Sequence, residues 1–465
     1  MKLIIIGTGP GGYETAVAAA KKGIEVTIFE SADVGGTCLN EGCIPTKALC
    51  RHAEILESVR QAQEFGVSPG GVLSGNAGGE EGNDVTTVRG CSPVIDMAKV
   101  LERKNAVVSQ LRTGVEGLLN NKLIKLVRAG AAFRDAHTVV ADGVEYSADY
   151  IIIASGSTSA SLPIPGAELP GVLTSKEMLD ISEVPARLCI IGGGVIGLEF
   201  ASIFASFGSQ VTVIEYCKEL LPRFDTDLAK RLKQALVKRG INVITSAQVL
   251  AVEDAPLRVT YRCKEETLQV EADKVLMAVG RKARYEGLNL EIAGVETGRR
   301  GIAVNEFMQT NVPNIYAIGD VNGLMMLAHA ATFQGLKALH HIVGEDDGID
   351  LGIMPAAVFT EPEIGTVGLT EDECKEKGLK IKCLKSFFRA NGKALAMGQP
   401  DGYSKIICDT GSGRILGCHI MGAHASDLIA EACALIQRKA TVAEARDIIH
   451  THPSLSEVLQ SALHN

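Results

Sequence analysis

One layout occurs twice in this chain, and the repetition constrains its fold more than any other feature. Residues 3–6 read as a buried strand, followed by a glycine turn, an alanine-rich helix from about Gly12 to Lys22, and a strand over residues 26–29 that ends in Glu30. The same order returns with a strand at residues 188–191, glycines, a helix to about Phe207, and a strand over residues 211–214 ending in Glu215. Gly7 precedes Glu30 by 23 positions, and Gly192 precedes Glu215 by the same 23. Each copy spaces its glycines as G-x-G-x-x-G, at Gly7, Gly9 and Gly12 and at Gly192, Gly194 and Gly197. The first glycine of such a run permits a tight turn, the second lets backbone N–H groups approach a pyrophosphate, and the third lets helix and strand pack closely. A carboxylate ending the second strand accepts hydrogen bonds from ribose hydroxyls. Strand, helix and acidic residue in register twice imply two βαβ units and two bound dinucleotides.

A chain of 465 residues has room for several separate cores, a prior of about two to four domains. Its 46 basic and 55 acidic residues leave a net charge of −9, a balance that repels a phosphate backbone and argues against a nucleic-acid partner. The absence of tryptophan and an aromatic content of 4% weaken any stacking platform for single strands. The apolar run at residues 3–6 is too short for the core of an export signal. Residues 188–207 are long and apolar enough to span a membrane, but Glu199 lies inside them and glycines cluster at their front, so a buried strand, turn and helix is expected instead. A cytoplasmic protein without a membrane partner follows from this reading. Twelve cysteines show neither C-x-x-C nor a Cys/His metal spacing, so no metal is expected and most should be reduced thiols.

Between the copies, residues 66–90 hold eight glycines together with Pro69 and read as a flexible surface insertion. A long helix is expected over residues 92–119, and buried strands at residues 150–154, before Ser155-Gly156-Ser157, and at residues 274–279, before Gly280-Arg281. Residues 314–319 lead to Asp320 and an apolar helix from about Met325. Beyond Gly352 alternating strand patterns and helices mark a separate C-terminal domain.

In GGTCLNEGCIPTK, Cys38 and Cys43 lie five residues apart at the start of an expected helix. An undistorted helix would separate them axially by about 7.5 Å, beyond the usual Cα spacing of a disulfide. Gly42 permits an unusual turn and Pro45 disfavours helical geometry at Ile44, so the sequence supplies a distortion where a bridge would need one. A pair strained in this way near a helix N-terminus would be reactive and not a structural staple. Spacing alone also allows two unconnected thiols.

At this point the residues resemble a known family. GGTCLNEGCIPTK, the two glycine motifs, AIGDV and HTHPSLSE follow the motif order of the class I pyridine nucleotide–disulfide oxidoreductases over nearly the whole chain. The resemblance implies an α/β protein with two Rossmann-like dinucleotide-binding domains, for FAD and NAD, and an α+β C-terminal dimerisation domain. The expected division is residues 1–149 for FAD, 150–279 for NAD, 280–350 completing the FAD site, and 351–465 for dimerisation. On the FAD side it implies Gly7, Gly9, Gly12, Glu30, Gly36, Thr37, Lys47, Gly130, Ser155, Gly156, Ser157, Asp320, Met326, Leu327, Ala328 and His329. On the NAD side it implies Gly192, Gly194, Val195, Ile196, Gly197, Glu199, Glu215, Val249 and Gly280. Glu215 favours NAD over NADP, because a carboxylate repels a 2′-phosphate.

The resemblance also implies a redox-active disulfide, in which Cys38 exchanges with substrate while Cys43 faces the flavin. Exchange needs a thiolate, so a base with a pKa near neutrality helps, and histidine fits. His452 is followed by Pro453 and, five positions on, by Glu457. On residues alone an ordinary surface histidine remains the alternative. By the resemblance His452 is the base and Glu457 its orienting partner, with Ser454 where threonine is commoner. Lys47 and Glu199 would pair near the flavin, although an exposed lysine and a helix-surface glutamate are the plain alternative. M-M-L-A-H-A stands where the family more often has P-M-L-A-H-K, and Gly280-Arg281-Lys282-Ala283 lacks a commonly following proline. The implied activity is oxidation of protein-bound dihydrolipoamide by NAD⁺ in a homodimer, with lipoyl domains of 2-oxoacid dehydrogenase or glycine cleavage complexes as partners. Its rivals are an NADPH-dependent reductase of a small disulfide or Hg(II), and a non-catalytic flavin-binding scaffold.

Overall fold

The computed structural model describes residues 1–67 and 93–465; most of the expected glycine-rich insertion therefore lies outside the described residues. The strand Lys2–Ile6 is flanked by parallel neighbours Glu25–Phe29 and Tyr150–Ile153, with Ile124–Val127 and Ile315–Ala317 outermost. The second sheet repeats this plan: Arg187–Ile191 lies central, between Gln210–Ile214 and Lys274–Met277, with Asn242–Ile244 and Val172–Leu173 at the edges. Both central strands are continuous apolar runs, Leu3 to Ile6 and Leu188 to Ile191, all buried, as parallel strands covered on both faces must be. Each unit also carries a three-stranded antiparallel meander, beginning at Ala132–Phe133 in the first and at Ala247–Glu253 in the second. The repetition thus extends well beyond the glycine motifs.

Sheet membership cuts across the boundary expected at residue 149. Tyr150–Ile153 pairs with Lys2–Ile6, so it completes the first sheet. Ile315–Ala317 joins the same sheet, and the helix Ala328–Val343 packs on the helix Pro10–Lys21. The chain leaves the first unit, builds the second, and returns, as expected for residues 280–350. The helix expected over residues 92–119 is observed as Met97–Leu119, capped by Asp96.

The C-terminal part is a five-stranded antiparallel sheet in the order Ala356–Val358, Ile364–Gly368, Ile415–Met421, Tyr403–Asp409 and Ile381–Phe387. Helices Ala425–Gln437 and Glu457–His464 pack on it around Phe388, Cys418, Ile420 and Leu459. An ion-pair network joins it to the second unit: Lys405, fully buried, lies 2.7 Å from Asp225 and 2.9 Å from Glu371.

Candidate active site

The glycine turns sit at the carboxyl ends of the central strands, where ligands bind in open parallel sheets. Gly7 and Gly192 have φ of +110° and +113°, and a side chain on either would strike the carbonyl of Ala154 or Ala278. A Cβ on Gly12 or Gly197 would strike the carbonyl of Gly7 or Gly192 respectively, so these two serve packing. Gly9 and Gly194 differ. Each has ordinary backbone geometry and open space where a Cβ would stand, so no atom of the chain requires glycine there. The helices they precede, Pro10–Lys21 and Val195–Phe207, have no side-chain cap, which leaves their first N–H groups free toward the cleft.

The two carboxylates repeat the match. Glu30 accepts from the backbone of Thr8 at 3.0 Å and of Ala32 at 2.9 Å. Glu215 accepts from the backbone of Gly193 and, at 2.7 Å, of Cys217. In each copy one donor follows the first glycine and the other lies two residues past the carboxylate. A carboxylate has about four acceptor positions, so each keeps lone pairs for a hydroxyl in the cleft.

One continuous cleft of about 2210 Å³ joins both turns, larger than the roughly 300–1,000 Å³ of a single small-ligand pocket. Of the sequence-predicted residues its wall includes Gly7, Gly9, Gly12, Glu30, Gly36, Thr37, Cys38, Cys43, Lys47, Gly130, Ser155, Gly156 and Ser157 from the first unit. It also includes Gly192, Gly194, Val195, Ile196, Glu199, Glu215, Val249, Gly280, Asp320, Met326, Leu327, Ala328 and His329. Gly197 lies beneath the wall. The uncapped N-terminus of Ala328–Val343 faces the same space, and the His329 ring is tied to the Pro355 carbonyl at 2.8 Å. That helix starts three residues later than the sequence places it, with Leu327 in extended geometry.

Asp320 accepts from the Ser157 hydroxyl at 2.5 Å, and Arg281 donates to the same hydroxyl at 2.7 Å while lying 3.9 Å from Asp320. Burial holds the Asp320 carboxyl above its ordinary range, against the pull of Ser157 and Arg281. Arg281 was visible in the sequence only as the residue after Gly280; its partners are 124 positions earlier and in the return segment. Asn40 was missed as well. Its amide donates to the carbonyls of Val34 and Gly36, both at 3.0 Å, and accepts from Arg112 at 2.8 Å, bracing the loop that carries Cys38.

Cys38 lies in the first turn of one short helix, Gly36–Glu41, and Cys43 begins the next, Cys43–Gln61. The break falls at Gly42, with φ −146° and ψ −108°. Ile44 is helical, contrary to expectation, because Pro45 lies in the first turn, where its missing N–H has no helical partner to lose. Both cysteines stand as free thiols, close enough to act on one another's ionisation. Cys43 is lowered to about 7, chiefly by the thiol hydrogen bond from Cys38 and then, against burial, by Lys47. Cys38 is pushed up, chiefly by its bond to Cys43 and then by burial. Cys43, at the start of a helix that bears Lys47 one turn on, is the better placed of the two to carry a negative charge.

Lys47, one turn along the same helix, meets Glu199 from the second unit at 2.9 and 2.8 Å. Glu199 is 4% exposed, so the surface alternative for this pair does not hold. His452 and Glu457 also meet, with His452 Nδ1 2.8 Å from Oε1, while the Ser454 backbone N–H donates to Oε2 at 2.8 Å. It is the backbone of Ser454 that holds Glu457, so serine in place of threonine leaves this contact intact. The Ser454 N–H first, and His452 second, hold the Glu457 carboxyl below its ordinary range. An ionised carboxylate only accepts, so His452 Nδ1 donates, which in the neutral imidazole places the lone pair on Nε2. The His452 side chain is 81% exposed and does not line the cleft of its own chain. The neighbouring His450 is packed away against Glu431 at 2.9 Å.

Comparison with known proteins agrees with this geometry. Residues 1–335 match the family described as pyridine nucleotide-disulphide oxidoreductase, and residues 354–463 match its dimerisation domain. A dihydrolipoyl dehydrogenase of Bacillus subtilis is 39% identical over 100% of this chain and 98% of its own length. One of Thermus scotoductus is 39% identical over 99% and 96%. Among solved structures, the HOCl-induced flavoprotein disulfide reductase RclA from Escherichia coli superposes with a TM-score of 0.85 at 30% identity, covering 100% of this chain and 99% of that one. LpdA from Mycobacterium tuberculosis gives 0.89 at 26% identity, covering 100% and 99%. No described helix is long and apolar enough to cross a membrane.

Proposed function

The chain belongs to the pyridine nucleotide-disulphide oxidoreductases, and from that premise we propose that it is a dihydrolipoyl dehydrogenase, oxidising protein-bound dihydrolipoamide with NAD⁺. Its cofactors are FAD and NAD, and it carries a dimerisation domain and forms a homodimer. The cleft suits two dinucleotides: Gly9 and Gly194 leave open space for close approach of a ligand, beside uncapped helix ends that favour phosphate. FAD would be held by the first glycine turn, Glu30, Ser157, Asp320 and the start of Ala328–Val343. NAD would be held by the second turn, Glu215 and Gly280. When bound, FAD supplies the two-electron relay that accepts the pair from the dithiol and delivers it as hydride to NAD⁺.

The observation that carries this reading is the placement of Cys43 at the start of Cys43–Gln61, one turn from Lys47 and, with Cys38, in the wall of the cleft. In the oxidised protein the two sulfurs form a disulfide. His452 Nε2 of the second copy takes a proton from one substrate thiol, and the resulting thiolate attacks Cys38. A substrate–Cys38 sulfur bond forms as the Cys38–Cys43 bond breaks, and the electron pair leaves on Cys43. Attack is directed this way because a low-pKa sulfur is the better leaving group, and Cys43 is the sulfur lowered to about 7. The second substrate thiol then attacks the substrate sulfur bonded to Cys38, releasing Cys38 and the cyclic disulfide product. Lys47 stabilises the charge left on Cys43, and Glu199 holds Lys47 in place.

A lipoyl domain of a 2-oxoacid dehydrogenase or glycine cleavage complex is the physiological partner in this proposal, and the cytoplasm its location. Thiols at Cys50, Cys189 and Cys418, buried and unpaired with one another, suit a reducing compartment. The test is turnover with dihydrolipoamide and NAD⁺ beside turnover with glutathione disulfide and NADPH. The first should exceed the second by orders of magnitude; the reverse ranking would replace this proposal with the small-disulfide reductase.

A further inference from the structure

The Lys47–Glu199 pair joins the two dinucleotide units, yet a third element holds it. Phe359, in the C-terminal sheet's connection between Ala356–Val358 and Ile364–Gly368, presents its ring face to Lys47, whose ammonium nitrogen lies 4.3 Å from the centroid. Its backbone N–H donates to Glu199 Oε1 at 3.0 Å. Its carbonyl faces the Cys50 thiol at 3.6 Å, one face of the same helix that bears Cys43 and Lys47. Two residues on, the Glu361 N–H donates to the Ser202 hydroxyl at 3.1 Å. Glu199 and Ser202 are one turn apart on Val195–Phe207 and so share a face. The backbone N–H groups of residues 359 and 361 both reach that face. The segment therefore docks along that helix in a fixed register, with Phe359 at the junction of all three parts.

We propose that Phe359 is a positioning residue for the redox reaction: its ring covers the Lys47 ammonium and its backbone fixes Glu199, so the C-terminal domain sets where the charged pair stands beside Cys43. A cation over an aromatic face is stabilised most where water is excluded. Removing the ring admits water to Lys47 and weakens its attraction for a thiolate on Cys43. The charged and titratable groups acting on Cys43 are Cys38 and Lys47 from its own segment and Glu199 from the second unit; Phe359 touches the last two.

This inference rests on the disulfide-exchange reading, but its test uses neither dithiol substrate nor nicotinamide, so a wrong lipoyl assignment would leave it standing. Full-length, FAD-loaded and fully reduced protein is alkylated with iodoacetamide across pH 5–9, and the rate at the Cys43 peptide is followed by mass spectrometry. Phe359→Leu should raise the midpoint for Cys43 by about half a pH unit, leaving about a third as much thiolate well below the midpoint. Phe359→Tyr, which keeps the ring face and the backbone donor, should keep the parent midpoint. Thermal unfolding of both variants accompanies the titration. An unmoved midpoint in a folded Phe359→Leu protein overturns the proposal, and so does a Phe359→Tyr midpoint displaced as far as that of Phe359→Leu.

Discussion

Lys47 and Glu199, 152 positions apart in sequence, meet with two nitrogen–oxygen contacts of 2.9 and 2.8 Å. Glu199 is almost fully buried, whereas about a third of the lysine side chain, 32%, reaches solvent. Each residue comes from a different dinucleotide unit, so this one pair registers the units against each other beside the reactive sulfurs. Lys47→Met strands a buried carboxylate, which typically costs about 3 kcal/mol or more. The lysine's partial exposure puts the expected loss near or below that figure. Urea unfolding of both proteins checks the stability. The same substitution should raise the Cys43 midpoint, since Lys47 favours its thiolate.

The exposed His452 has little packing to lose. His452→Gln should leave the unfolding midpoint unchanged while lowering dihydrolipoamide oxidation near pH 7 by about 10²- to 10⁴-fold. Glu457→Gln should lower it less, because the Ser454 N–H continues to hold the side chain. Parallel kinetics and unfolding curves separate a lost base from a lost fold.

Glu215 combines a ligand role with a structural one, holding the Gly193 and Cys217 backbones. Glu215→Gln keeps the shape and removes the charge. It should weaken NAD⁺ by about tenfold, equivalent to about 1.4 kcal/mol, and narrow the preference over NADP⁺. Steady-state KM values for both nucleotides measure the change.

Acid should loosen the join between the second unit and the C-terminal sheet. Hydrogen bonds from Lys375 and then Lys405 hold Glu371 down at about 2. Asp225 is also lowered, although burial opposes it, through His419 and Lys405. Folded values below the unfolded ones mean that protonation favours unfolding. The contribution is complete above the ordinary carboxylate range, about pH 4–5, and is lost as pH falls toward 2. Urea midpoints measured from pH 6 to 2.5 should fall on the acid side. Lys405→Met leaves Asp225 buried without its cation and should cost about 3–5 kcal/mol at pH 7, flattening that acid dependence.

The doubled βαβ plan was legible because its signals are local: glycine spacing, apolar runs and a carboxylate at a fixed offset. The positive φ at Gly7 and the packing of Gly12 on the Gly7 carbonyl belong to one turn, although Ala154 also excludes a side chain at Gly7. What escaped depends on contacts between remote segments. The pairing of residues 150–153 with the first strand is a matter of topology, and a linear reading misses it by drawing a boundary at residue 149. Arg281 and Phe359 carry no local mark, since each acquires its role from residues more than a hundred positions away. Near Cys43 the residue types located one distortion correctly, at Gly42, which breaks the helix, and misplaced another at Ile44, since Pro45 is accommodated in the first turn.

Electron flow through the Cys38–Cys43 pair is the central claim, and anaerobic stoichiometry tests it most directly. FAD-loaded parent protein is mixed with dihydrolipoamide and NAD⁺, and NADH is measured beside Cys38→Ser and Cys43→Ser variants that retain FAD and the parent unfolding midpoint. The account predicts one NADH per dihydrolipoamide oxidised by the parent, and none above background from either variant. NADH production at the parent rate by either serine variant would contradict it.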